Sequence, residues 1–592
     1  MARAILFGTP VAPGISIGKI ILTHHAGAVE ERFIMPENTE KEVARLTQAA
    51  ETVHADLTQA RAAVPDDMAE HREFINTHMM ICQDPRLLKE AEDRIRTQRM
   101  CAPWALAKTV EALCEAFRNI DDPYLRDRAQ DIRAVGLRLQ CRLAGKEYVP
   151  RGGGTPSIHV AEDLSPADAL ELQVDRILAL IMAEGGPTSH TAILARSLRI
   201  PAVVGVTGIL ETAHDGDFVV VDALRGCIYI DPDDQELATF ARKQEEYIAW
   251  EWNVRRSAML PAETLDGVRI EVQANLENAG ELDAVDACGA EGVGLYRTEY
   301  AYLRSRHLPE EEQLYTEYAT VAQKLAPRRV VFRTLDVGAD KMLHSQMALK
   351  EPNPALGLRA IRFCLRHQNL FRAQLRAILR AGVHGNVALM LPMISGLEEV
   401  QFARRILGEV TQELTAAGVP HAPTLPVGVM IEVPSAIFLA DALARECDFF
   451  SIGTNDLIHY LLAIDRGNKH VGYLHEPLHP AVVRSLKLVI DCAHREGIGV
   501  SVCGELAADP YCLALLLGMG VDAVSATSQS VPGIKHLIRH CHAGRCMEMA
   551  RSVLMTSDVE SANRMVTEAL SLHLRDNLAF HTTMIHTHGL EG

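Results

Sequence analysis

Residues able to do chemistry fall into two groups in this chain, and the first is compact. The run Gly185-Gly186-Pro187-Thr188-Ser189-His190-Thr191 sets two glycines and a proline as a tight turn ahead of hydroxyl side chains and a histidine. His190 then opens an apolar-periodic run, with Ile193, Leu194 and Leu198 on one face, which reads as a helix. Backbone N–H groups and the helix dipole favour an anion at such a position. That is the local environment a phosphorylated imidazole needs. The same residues also read as an N-capped helix with a surface histidine, and the other half of the chain must separate the two readings.

The second group lies at the C-terminal ends of short apolar runs: Arg297 and Glu299, Arg333 and Asp336, Glu432, Asn455 and Asp456, and Cys503, Gly504 and Glu505. Arg359 and Arg466 fall in loops or early helix turns expected on the same rim. Four arginines and several carboxylates converging on one face suit a small, highly charged substrate held with a divalent metal. Ion pairing of Arg297 and Arg333 with Glu299 and Asp336 is the plainer reading of those four. Glu432 ends a fully apolar strand, in Met-Ile-Glu-Val-Pro, where burying its charge without a cation would be expensive. Asp456 adds a second acid one strand away, and two acids with open positions for water and phosphate oxygens suit Mg²⁺. Cys503 is one of thirteen cysteines, and its strand-end position beside these groups singles it out.

The elements that must position these residues follow a regular pattern beyond residue 261. Strands are expected at Val268–Ala274, Gly292–Tyr296, Val330–Arg333, Val387–Pro392, Val427–Glu432, Phe449–Ile452, Gly499–Cys503 and Ala523–Ala526, with helical patterns between them. Such alternation predicts a (β/α)8 TIM-type barrel over residues 261–575, whose active site forms at the C-terminal strand ends. Ahead of it, residues 1–22 (a turn, then a strand) and 147–231 read as one small α/β domain. A helical subdomain over 23–146 is inserted into it. A charged, helix-prone stretch at 232–260 reads as a linker helix, and 576–592 as a C-terminal tail with His581, His586 and His588, taken as a frayed end.

At 592 residues the chain is expected to hold about two to four domains. Its formal net charge of −18 argues against nucleic acid or an anionic membrane as partner and is compatible with a basic protein. The thirteen cysteines are odd in number and form no CxxC pair, which reads as reduced thiols and not as disulfides or a zinc site. With no signal-like apolar region at the start and no apolar run near the ~20 residues of a membrane span, a cytoplasmic protein is expected.

The two groups together resemble Enzyme I of the bacterial phosphotransferase system. The resemblance runs from Pro13-Gly14-Ile15 through the His190 motif to Gly294–Glu299, Phe332–Asp336, Phe449–Leu457, Asp465–Asn468 and Cys503–Ala507. The histidine motif is shared with pyruvate phosphate dikinase and phosphoenolpyruvate synthase, whereas the combination and order are those of Enzyme I. The resemblance implies that His190 carries the phosphoryl group. It implies that Arg297, Arg333, Arg359, Arg466, Asn455 and Asp456 bind phosphoenolpyruvate, and that Glu432 and Asp456 hold Mg²⁺. It further implies that Cys503 protonates the enolate, that the helical subdomain docks the carrier protein HPr, and that the barrels form a homodimer. The expected role is the first step of sugar phosphotransferase transport. Pro187 stands where many members carry a basic residue, and Ser165 replaces a common threonine. A synthase or dikinase would need an ATP-binding domain, yet no glycine-rich phosphate loop precedes His190. A non-catalytic phosphoenolpyruvate-sensing paralogue would not need the intact histidine, carboxylates and cysteine.

Overall fold

A computed structural model describes residues 3–22, 29, 31–63, 69–118, 123–145, 155–162, 176–186, 189–198, 200–303, 308–338, 353–465, 468 and 470–573. The chain divides into two compact units between Ile248 and Ala249. The division falls inside the helix Asp234–Ser257.

In the first unit, eight strands form one sheet: β1 Ala4–Phe7, β2 Thr9–Ala12, β3 Ile15–Leu22, β4 Ser157–Ala161, β5 Ile177–Met182, β6 Ala202–Val204, β7 Phe218–Asp222 and β8 Cys227–Ile230. Their order is β1-β8-β7-β3-β4-β5-β6-β2. Three strands thus occupy a stretch in which the sequence pattern pointed to a turn and one strand. Pro10 lies in β2, whose one neighbour is β6, and an edge strand tolerates the missing N–H. β3 and β4 pair in parallel, Ile20 opposite Ile158. Among the described residues five α-helices intervene between them: α1 Thr39–Ala63, α2 Ala69–Cys82, α3 Pro85–Gln98, α4 Ala102–Arg118 and α5 Pro123–Leu143. The helical block is therefore inserted within the sheet's connectivity. It has its own core, in which Leu46, Val53 and Leu57 of α1 meet Ile75, Leu87, Ile95, Leu106 and Leu139. The spacing of three and four along α1 is what gives that helix an apolar face.

The second unit is a closed, all-parallel barrel of β9 Glu271–Leu276, β10 Val293–Tyr296, β11 Val330–Arg333, β12 Val387–Leu391, β13 Val427–Ile431, β14 Phe449–Ile452, β15 Gly499–Val502 and β16 Ala523–Thr527. β16 returns to β9, Ala523 opposite Glu271, and closes the ring. The (β/α)8 expectation holds, with one shift at its start. Val268 and Ile270 pair back on Thr264 and Ala262 (Thr264 N–H to Val268 O, 2.9 Å; Ile270 N–H to Ala262 O, 2.9 Å), so the first barrel strand begins only at Glu271. Alternate strand residues Leu295, Val331, Met390, Met430 and Phe449 pack with Cys503 as a separate apolar cluster. Their neighbours Phe332, Leu389, Val429 and Phe450 join the larger core. This period of two divides each strand between barrel interior and surrounding helices. Among the described residues no helix is long and apolar enough to cross a membrane.

Candidate active site

The C-terminal rim of the barrel gathers a chain of alternating charges. Arg333, the last residue of β11, places Nη2 2.9 Å from Glu299 Oε1 and Nη1 3.0 Å from Asp336 Oδ2. Arg359 Nη2 lies 2.9 Å from Asp336 Oδ1 and 3.3 Å from Asp456 Oδ2. Burial opposes the charge of Arg333, but Glu299, Asp336 and Glu432 outweigh it and push its pKa above the ordinary value. Arg359 behaves in the same way, with burial opposed by Asp336 and Asp456. Both guanidiniums are therefore fixed cations. Arg297 stands apart: it pairs with Glu277 at 2.7 Å, with both side chains about half exposed, and not with Glu299. The plain pairing of neighbours thus holds for Arg333 and fails for Arg297.

Glu432 follows β13 and is 1% exposed. Its Oε1 accepts the Met393 N–H at 2.6 Å. Burial, then the charges of Asp336 and Asp456, push its carboxyl well above the usual range, against the pull of Arg333 and the Met393 N–H. Gly453 makes the close approach possible, since a Cβ there would come within 2.6 Å of Glu432 Oε2. An anion buried in that position is costly unless a cation stands beside it. Among the described residues no group of three or more His, Cys, Asp or Glu could hold a metal. Glu432 and Asp456 would have to share the ion with substrate oxygens or water, as Mg²⁺ sites commonly do.

Cys503 follows β15 and is 4% exposed, and its Sγ donates to Ile452 O at 3.6 Å. Burial pushes its thiol pKa up, with Arg333 pulling the other way and Glu432 adding to the rise. The group therefore stays a thiol, able to donate, at neutral pH. Asn275 Nδ2 donates to the Cys503 carbonyl at 3.0 Å and fixes the strand end. Asn455 and Glu505 lock together through Asn455 Nδ2 to Glu505 Oε1 at 2.9 Å and Glu505 N–H to Asn455 Oδ1 at 3.1 Å. Gly504 is required beside them, because any Cβ would collide with the Thr454 hydroxyl.

In the first unit, His190 is the first residue of the helix His190–Leu198. Ser189 Oγ caps that helix by accepting the Ala192 N–H at 3.2 Å. Gly185, at φ 99°, makes the turn ahead of it. The backbone of His190 is described and its side chain is not. Arg466, Ser165, Pro187 and the tail histidines lie outside the described residues. The rim does bring together Arg333, Arg359, Glu432, Asp456 and Cys503. Met393, Tyr460 and the bridging of two arginines by Asp336 carry no signal in the sequence. Tyr460 accepts from Arg359 Nη1 at 3.2 Å and donates to Ala355 O at 2.5 Å. No periodicity signals such contacts, although the strand-end position of Asp336 did mark it as a rim residue.

Comparison with known proteins gives three family matches along the chain: PEP-utilising enzyme, N-terminal, over residues 7–128; PEP-utilising enzyme, mobile domain, over 153–226; and PEP-utilising enzyme, PEP-binding domain, over 252–543. The phosphoenolpyruvate-protein phosphotransferase of Geobacillus stearothermophilus is 37% identical over 569 residues, covering 96% of this chain and 98% of the relative. Those of Haemophilus influenzae and Listeria monocytogenes are each 36% identical, covering 96% and 95% of this chain and 99% and 98% of the relatives.

Proposed function

Because the chain belongs to the phosphoenolpyruvate-protein phosphotransferase family and is an enzyme of that kind, we propose that His190 takes the phosphoryl group from phosphoenolpyruvate and passes it to a histidine of the carrier HPr, with release of pyruvate. Arg297, Arg333, Arg359 and Arg466, with Asn455, hold the phosphate and carboxylate of the substrate through charge-assisted hydrogen bonds. Glu432 and Asp456 hold Mg²⁺, which when bound neutralises charge on the phosphoryl oxygens. Neutral imidazole is the nucleophile, which an ordinary histidine pKa of about 6.5 permits. The Nε2–P bond forms as the bridging O–P bond breaks, leaving enolpyruvate. Cys503 then gives its thiol proton to the terminal carbon, and solvent restores that proton.

The observation that carries this reading is Cys503, buried at the end of β15 on the same barrel rim as the paired Arg333 and the buried Glu432. A general acid beside a fixed cation and an anion that needs a metal is what cleavage of an enol phosphate requires. Because His190 and the barrel belong to different units, the reading includes a swing of the histidine-bearing domain between substrate and carrier. It places the enzyme in the cytoplasm, as a homodimer through its barrels, with HPr docking on the helical insertion at the first step of sugar phosphotransferase transport. The test is incubation with labelled phosphoenolpyruvate and Mg²⁺ without nucleotide. Acid-labile label that moves to HPr is expected, and a nucleotide requirement would overturn the reading.

A further inference from the structure

Asp336 is 4% exposed and its carboxylate spans two guanidiniums, Arg333 at 3.0 Å through Oδ2 and Arg359 at 2.9 Å through Oδ1. Arg359 Nε adds a second, longer contact to the same oxygen at 3.3 Å. The Asp336 N–H donates to Glu299 Oε1 at 3.1 Å, the oxygen that also receives Arg333 Nη2. The same Arg359 Nη2 also reaches Asp456 Oδ2, at the longer distance of 3.3 Å. Asp336 therefore links Arg333, a cation assigned to the substrate, to Arg359, which in turn reaches Asp456, an acid assigned to the metal.

We propose that Asp336 is a positioning residue that aims Arg333 at the substrate and, by holding Arg359, leaves the Asp456 carboxylate available to the metal. The inference rests on the function proposed above and adds a determinant of both affinities. A guanidinium shared between two acids is drawn wholly to one when the other loses its charge. Without the Asp336 charge, Arg359 is left with Asp456 as its acidic partner among the described residues, and the pairing neutralises an acid the cation needs. Arg333 at the same time keeps one acidic partner, Glu299, in place of two. Asp336 touches neither reacting atom in this account, so its removal shifts binding before it shifts the chemical step.

The test reads two constants on Asp336→Asn: the half-saturating phosphoenolpyruvate concentration for phosphoenzyme formation, and the equilibrium affinity for Mn²⁺ measured by electron paramagnetic resonance without substrate. Both are expected to weaken by about tenfold or more, the scale of one charge-assisted hydrogen bond. Adding Arg359→Met to Asp336→Asn removes the competing cation, and is expected to restore Mn²⁺ affinity without restoring the substrate constant. Asp336→Ser serves as the second variant if the asparagine protein does not fold. Either constant remaining within about twofold of wild type in a folded variant overturns the assignment, as does a fall in kcat with both constants unchanged. Failure of the wild-type enzyme to take label from phosphoenolpyruvate would instead overturn the proposed function itself.

Discussion

Met393 donates its N–H to Glu432 Oε1 at 2.6 Å from a backbone held at φ 56°. A non-glycine residue in the left-handed region costs on the order of 1 kcal/mol. The conformation aims a donor at a buried carboxylate that Asp336 and Asp456 repel and Arg333 attracts. The arrangement partly offsets the burial of an anion and leaves the rest to a cation.

That relationship predicts an inverted pH dependence of stability in metal-free protein. The folded-state pKa of Glu432 is raised above its ordinary 4.5. Above that unfolded value the folded protein is penalised for ionising the group, so wild type loses stability as pH rises toward the folded pKa. Glu432→Gln carries no such penalty. In chelator, its melting temperature should exceed that of wild type by a margin that grows as pH rises from about 4.5 and closes below it. A margin independent of pH, or stability lost on acidification through this group, would contradict the assignment. The same variant should lose the rise in melting temperature that Mg²⁺ gives wild type.

Arg297 and Arg333 should separate by stability. Arg297 pairs with Glu277 at an exposed position, so Arg297→Ala should cost at most about 1 kcal/mol of folding free energy. Arg333→Ala removes the ion pair of Glu299 and one of the two guanidiniums on Asp336, side chains that are 14% and 4% exposed, and should cost about 3–5 kcal/mol. Denaturant melts of the two variants check this. Both should raise the phosphoenolpyruvate requirement, and equal stability losses would show that Arg333 is not the buried centre of its cluster.

Cys503→Ala should bind phosphoenolpyruvate and Mg²⁺ normally while overall turnover falls by roughly two or more orders of magnitude, the scale of losing a general acid. Exchange of phosphoryl groups between phosphorylated HPr and His190 should persist, because it does not use the barrel. Alkylation of wild type should reproduce the variant and be slowed by phosphoenolpyruvate. Near-normal pyruvate release from the alanine protein would reduce Cys503 to one more buried cysteine.

The barrel was legible because its strands are buried on both faces and read as continuous apolar runs. β11 and β14 coincide with the runs Val330–Arg333 and Phe449–Ile452. β1 and β2 were not legible, since each has four residues and Pro10 interrupts the pattern. Val268 belongs to an apolar run but spends its backbone bonds on Thr264, four residues away, a local turn that hydropathy does not record. Rim residues at strand ends could be named in advance because a barrel fixes where those ends point. The contacts among them could not. The left-handed backbone at Met393 and Ala360 has no signature in those residue types. Asp336 meets Arg359 from 23 positions away, and Asn455 meets Glu505 from 50, separations that no sequence periodicity encodes.

His190 is the residue proposed to carry the phosphoryl group taken from phosphoenolpyruvate. The most direct measurement exposes wild type and His190→Ala to ³²P-phosphoenolpyruvate and Mg²⁺, with no nucleotide, and maps the label by peptide mass spectrometry under alkaline conditions. Wild type should carry acid-labile phosphate on the peptide containing His190 and surrender it to HPr. His190→Ala should take no label while still binding phosphoenolpyruvate. Acid-labile label retained in His190→Ala, or found on another residue of wild type, would contradict the account.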